Sequence, residues 1–253
     1  MFWRKKYRLG IALSGGGARG FAHLGVLKAL EEKGIKPDVV SGVSAGAIAG
    51  AFYAAGIKPD KALEIIKQYR FFELARLRFP RRGLFTLDNV GESIKNEIPY
   101  QKLEELPTPL IVGATDILEG KINYFTEGPI ASAVQASSSI PVLFNPVTID
   151  GKLYADGGVL ANQPIKPLFK LCRKTILVNI SPVCSITEVK SLAQIATRTF
   201  QLGVNSQVEE DKTKCTLYIE PPEIREYDFM DTKNAHKIFD VGYQYISGMK
   251  VKL

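Results

Sequence analysis

Short apolar runs alternating with amphipathic stretches predict an α/β protein, with a mostly parallel central sheet covered by helices on both faces. Residues 9–13, 110–115 and 175–180 are apolar runs without period-two alternation, as expected of strands buried on both sides. Helical periodicity follows the first run through Phe21, Leu24, Leu27 and Leu30, closed by Gly34. The 253 residues, 45% hydrophobic and 23% charged, suffice for a full core. No linker or repeat divides them, so one domain over residues 1–253 is expected.

The elements follow in order. After the first strand and helix, residues 38–41 read as a short buried strand and residues 45–55 as an Ala-rich helix. Gly56 and Pro59 punctuate before a helix over 60–69. Thr86 or Asp88 caps the next helix, which runs through Val90, Ile94 and Ile98. Residues 121–126 can pair beside the strand at 110–115. Pro129 opens a small-residue helix that ends near Ser137. Asp150-Gly151, between alternating residues, is a hairpin turn. A helix from 189 to about 211, a strand over 216–219 and a helix from about 232 complete the chain.

Composition narrows the function classes. No run approaches the length of a membrane span, and the basic N-terminus, Met1 to Arg8, lacks the features of a secretory signal. A cytoplasmic location, with peripheral membrane contact, is the default expectation. Cys172, Cys184 and Cys215 are odd in number and lack C-x-x-C spacing, so they predict reduced thiols and no metal site. The net charge of +7 concentrates in the N-terminal arm and in residues 70–82, where Arg70, Arg76, Arg78, Arg81 and Arg82 interleave with Phe71, Phe72 and Phe79. That pattern suits an anionic interface or a solvated face.

Gly42-Val43-Ser44-Ala45-Gly46 lies between the second strand and its helix. A G-x-S-x-G at such a turn is a nucleophile elbow, in which small residues let the serine protrude. Upstream, Gly15-x-Gly17-x-x-Gly20 follows a strand and opens a helix. A dinucleotide site would place an acidic residue after the second strand, but Asp38 precedes it. Bare N–H groups of Gly15, Gly16 and Gly17 serve better as an oxyanion hole. Arg19 can support the oxyanion, bind a substrate phosphate or form a structural ion pair. A serine needs a base. His23 reads as a packed core residue and His236 as a solvent-facing helical one, whereas Asp156-Gly157-Gly158 places a carboxylate at the mouth of a strand. Alone, that tripeptide is also an ordinary turn.

Together, residues 14–20, residues 42–46 and Asp156-Gly157-Gly158 resemble the patatin-like phospholipases. Ala136-Ser137-x-x-x-Pro141 and Phe144-x-Pro146-Val147 resemble a further block of that family. The likeness covers roughly residues 9–180, and the size is similar to the stand-alone bacterial branch related to the catalytic part of neuropathy target esterase. The resemblance implies a three-layer α/β fold and a Ser-Asp dyad without histidine: Ser44 the nucleophile, Asp156 the base, Gly15 to Gly17 the oxyanion hole. It implies a phospholipid or other acyl-ester substrate, no cofactor, no metal and no nucleic-acid partner. Residues 70–82 are expected to form a lid or a docking surface for an anionic membrane. No motif is carried onto the segment after Asp211; the helical part from 188 is expected to pack on the rest. A non-catalytic lipid- or partner-binding protein on the same fold is the competing class.

Overall fold

Leu9, Ile11 and Leu13 of the first strand enter one hydrophobic cluster and Ala12 another, so this strand is buried on both faces. Ile176 and Val178 join the first cluster and Leu177 the second, repeating the alternation on a neighbouring strand. The computed structural model describes residues 5–69, 87–183, 185, 188–189, 192–204, 208–229, 231–251 and 253. Arg70 to Arg82, Thr86, Cys184 and the first four residues of the basic arm lie outside the described residues.

In chain order the elements are β1 (Tyr7–Leu13), α1 (Phe21–Glu32), β2 (Val39–Gly42), α2 (Ala45–Ala54), α3 (Pro59–Gln68) and α4 (Asp88–Glu97). Then come β3 (Leu110–Asp116), β4 (Lys121–Phe125), α5 (Ile130–Ser137), β5 (Val147–Ile149) and β6 (Lys152–Asp156). The chain continues through α6 (Gly158–Ala161), α7 (Lys166–Leu171), β7 (Cys172–Val178), α8 (Leu192–Val204), α9 (Val208–Lys214), β8 (Leu217–Ile219) and α10 (Ala235–Ser247).

The strands form one eight-stranded sheet ordered β5-β6-β3-β2-β1-β7-β8, with β4 also on β3. Pairing is parallel from β3 through β2, β1 and β7 to β8. It is antiparallel for β4 and β6 on β3 and for β5 on β6. The α/β expectation holds. Asp150 and Gly151, at φ 48° and 77°, make the turn of the β5–β6 hairpin. The helix expected over 189–211 corresponds, in the residues described, to α8 and α9. Asp88 falls within the first turn of α4, with Leu87 at the N-cap and no side-chain cap.

On one face α1 is crossed closely by α10. A Cβ on Gly25 would strike the Phe239 carbonyl, and one on Gly242 the Ala22 carbonyl. Each glycine thus lets the other helix's backbone approach, and only two facing glycines permit that contact. On the other face Ile165 and Leu168, flanking the start of α7, pack with Ala12, Ile111 and Leu177. No helix among the described residues is long and apolar enough to cross a membrane.

Candidate active site

β1 and β2 are adjacent and parallel, so the loops leaving their C-terminal ends lie side by side. The elbow leaves β2. Ser44 has φ 54° and ψ −124°, outside the regions L-residues favour, and such backbone persists only where its surroundings hold it. They do so closely: a Cβ on Gly42 would lie 2.7 Å from Ala47 Cα, and one on Gly46 would meet the Leu13 carbonyl. Val43 N–H donates to Leu13 O at 3.2 Å, tying the elbow to β1. Ser44 is 5% exposed and makes no side-chain cap to α2, so its hydroxyl is left for other work.

The glycine loop leaves β1. Ser14 N–H donates to Val178 O at 3.1 Å, and the Ser14 hydroxyl accepts Ile180 N–H at 3.0 Å. His23 Nε2 sits 2.8 Å from Ser14 O and so carries the proton in that bond. Burial pushes His23 down to about 4, keeping it neutral, and its Nδ1 is buried without a partner. His23 is a brace for the loop, as a core residue should be.

Gly17, at φ 58°, starts a 3-10 turn over Gly17–Gly20 that leads into α1. Gly15 N–H donates to Asn162 O at 3.2 Å and Ala18 N–H to Phe229 O at 2.8 Å. Among the described residues, no backbone acceptor is recorded for the N–H groups of Gly16 and Gly17. Of the three amides expected to form an oxyanion hole, that of Gly15 is thus already engaged. Arg19, 6% exposed, donates from Nε to Tyr227 O at 2.8 Å, which ties the loop to the C-terminal segment.

Asp156 ends β6 and is fully buried. Its N–H donates to Ser139 O at 2.9 Å, and its Oδ1 accepts Gly158 N–H at 2.7 Å. Burial pushes its pKa up to about 7, opposed by the Ser44 hydroxyl and the Gly158 amide, which both favour the charged form. The Ser44 hydroxyl is thus within interaction range of the carboxylate, while Oδ2 lacks a well-formed hydrogen bond.

Other expected candidates lie elsewhere. Asp38 Oδ2 accepts the Arg8 and Leu9 amides at 2.9 and 2.8 Å, at the opposite end of β1 from the glycine loop. His236 is an exposed neighbour of Glu64 and Lys67 on α3. A cavity of about 700 Å³ lined by Arg8, Lys33, Lys174 and Lys250 also lies at that far end. Sequence reasoning missed Asn162. A Cβ on Gly15 would strike its Oδ1, and one on Gly158 would lie 3.0 Å from it. The available signal was the amide pair Asn162-Gln163, set between Ala161 and Pro164.

The strained Ser44 elbow after β2, the glycine loop after the neighbouring β1 and the buried Asp156 at the end of β6 thus come together in one α/β fold. The family model for patatin-like phospholipase matches residues 11–169, and the chain belongs to that family. An uncharacterized NTE family protein of Mycobacterium tuberculosis is 36% identical over 164 residues, 64% of this chain and 45% of that one. Patatin-like phospholipase domain-containing protein 6 of Homo sapiens is 29% identical over 274 residues, covering 94% of this chain and 20% of that protein. Lysophospholipase nte1 of Neurospora crassa is 27% identical over 94% of this chain and 18% of its own length. The chain thus spans less than half the length of these curated relatives. VipD from Legionella pneumophila has a similar fold, with a TM-score of 0.51 and 18% identity over 95% of this chain and 67% of that one.

Proposed function

We propose that the protein is a serine lipid acyl hydrolase, with Ser44 as nucleophile and Asp156 as general base. The observation that carries this reading is the pairing of a strained, nearly buried serine with a carboxylate whose burial lifts its pKa to about 7. An ordinary aspartate, near 3.9, is too weak a base for a serine hydroxyl at neutral pH. One at about 7 is about half ionised there and holds a proton far better. Relatives named as a phospholipase-domain protein and a lysophospholipase support a lipid ester as substrate.

In this reading Ser44 Oγ attacks the ester carbonyl while its proton passes to Asp156. The oxygen that becomes negative takes hydrogen bonds from Gly16 and Gly17 N–H, each donor contributing about 3 kcal/mol in comparable acyl-transfer sites. Collapse breaks the ester C–O bond, and Asp156 returns the proton to the departing alcohol. Water then gives a proton to Asp156 and adds to the acyl-serine. The carboxylic acid leaves, and the proton returns to Ser44.

A fluorophosphonate ester should label Ser44, seen by mass spectrometry of the intact protein and its peptides. Ser44→Ala should lose both labelling and ester hydrolysis. Asp156→Asn should fold yet lose hydrolysis by roughly 10³-fold or more. Activity of the wild type should rise with pH through about 7, where the base ionises. Labelling of another serine, or hydrolysis that survives Ser44→Ala, sinks the reading and leaves a lipid-binding protein on the same fold.

A further inference from the structure

We infer that Ser137 is the positioning residue that sets the spacing of nucleophile and base, an inference that rests on the Ser44–Asp156 reading. Its fully buried hydroxyl makes two bonds at once. It accepts Ser44 N–H at 2.9 Å and donates to the Gly113 carbonyl of β3 at 2.6 Å. The Ser137 carbonyl accepts Gly157 N–H at 3.3 Å, and the Ser139 carbonyl accepts Asp156 N–H at 2.9 Å. One short segment at the end of α5 therefore holds the main chain on both sides of the dyad.

The elbow explains why a hydroxyl is required there. With φ at 54°, Ser44 has left the geometry of a strand, and its amide is bonded to Ser137 Oγ. A buried N–H without an acceptor is costly, and no apolar side chain can supply one. A hydroxyl can accept from the amide and still give its own proton away, here to β3. The same Gly113 carbonyl lies where a Cβ on Gly157 would fall, so β3, α5 and the Asp156 turn meet at one oxygen. Removing the hydroxyl frees the elbow from that point while Asp156 stays held by main-chain bonds.

Three variants test this. Ser137→Ala should lower kcat by about tenfold or more while KM stays within about twofold, as expected when only the reacting geometry is lost. The rising limb of its pH–kcat profile should move to higher pH, because a displaced Ser44 hydroxyl no longer favours the ionised Asp156. Ser137→Thr and Ser137→Val have the same shape and differ by one hydroxyl, so the Thr variant should be at least about tenfold more active. Should the Val variant fail to fold, the rate of fluorophosphonate labelling of Ser44 in Ser137→Thr against Ser137→Ala decides, and Thr should be faster. Equal activity of Thr and Val variants, or a Ser137→Ala profile matching wild type, overturns the inference. If wild-type Ser44 is labelled and Asp156→Asn is inactive, such a result removes Ser137 alone. If Ser44 is not labelled, the dyad falls and this inference with it.

Discussion

In the proposed mechanism, Asp156 places catalysis and stability in opposition. Its folded pKa of about 7 stands above the unfolded value near 3.8, so the native state binds the proton more tightly. Its contribution to stability is complete below about pH 4 and is lost as pH rises toward about 7, where the buried carboxylate must ionise. Above that pH the charged form, which the proposed mechanism needs as base, is also the destabilising one. Asp156→Asn removes the charge at every pH. It should therefore be more stable than wild type at pH 8 by on the order of a few kcal/mol, with the difference closing below about pH 4. Thermal or denaturant unfolding across that range checks both the sign and the window. Equal stabilities at pH 8 would mean that the carboxylate is less buried in solution than its surroundings indicate. Asp-Gly-Gly at a strand mouth marked this residue out only together with the other motifs, and the bonds that fix its main chain come from Ser139 and β3, distant in the sequence.

At the scale of elements, the crossing of α1 and α10 offers a direct test of packing. Gly25 faces the Phe239 carbonyl and Gly242 the Ala22 carbonyl, so a methyl at either position must push the helices apart. Gly25→Ala or Gly242→Ala should each cost about 1–3 kcal/mol by urea denaturation, despite the better helix propensity of alanine. The double variant should cost less than the sum, because helices already separated leave room for the second methyl. Strict additivity would argue against the close contact. These elements also show what a sequence makes visible. β1, β3 and β7 are apolar on both faces, and the β5–β6 turn carries Asp150-Gly151, so local signals suffice. α6 and α7 went unread because each is only a turn or two long and is held by what it packs against. The helical periodicity read over 189–211 is met by α8 and α9 in the residues described.

For the whole molecule, the glycine loop is closed from three distant directions: Asn162 on Gly15, the β7 end on Ser14, and the C-terminal segment on Ala18 and Arg19. Sequence reading placed the loop beside the elbow correctly, since one strand-helix unit separates them. It could not see that Asn162 takes the Gly15 amide, because that bond depends on how the sheet is ordered. A version ending after β8, at residue 219, keeps Ser44, Asp156 and every glycine of the loop, and keeps all of residues 11–169. It loses Tyr227 O, Phe229 O and α10, and is expected to show no fluorophosphonate labelling of Ser44 and no cooperative unfolding; full labelling would reject this. Residues 227 and 229 each give the loop a main-chain carbonyl, and Phe229 also lays its buried ring beside Gly17. The clamp therefore constrains the path of the chain through main-chain atoms, while the segment's spelling answers only to core packing, at Ile224 and Phe229. A segment indispensable in three dimensions can in this way pass beneath every motif search, and grafting by motif boundaries would leave it behind.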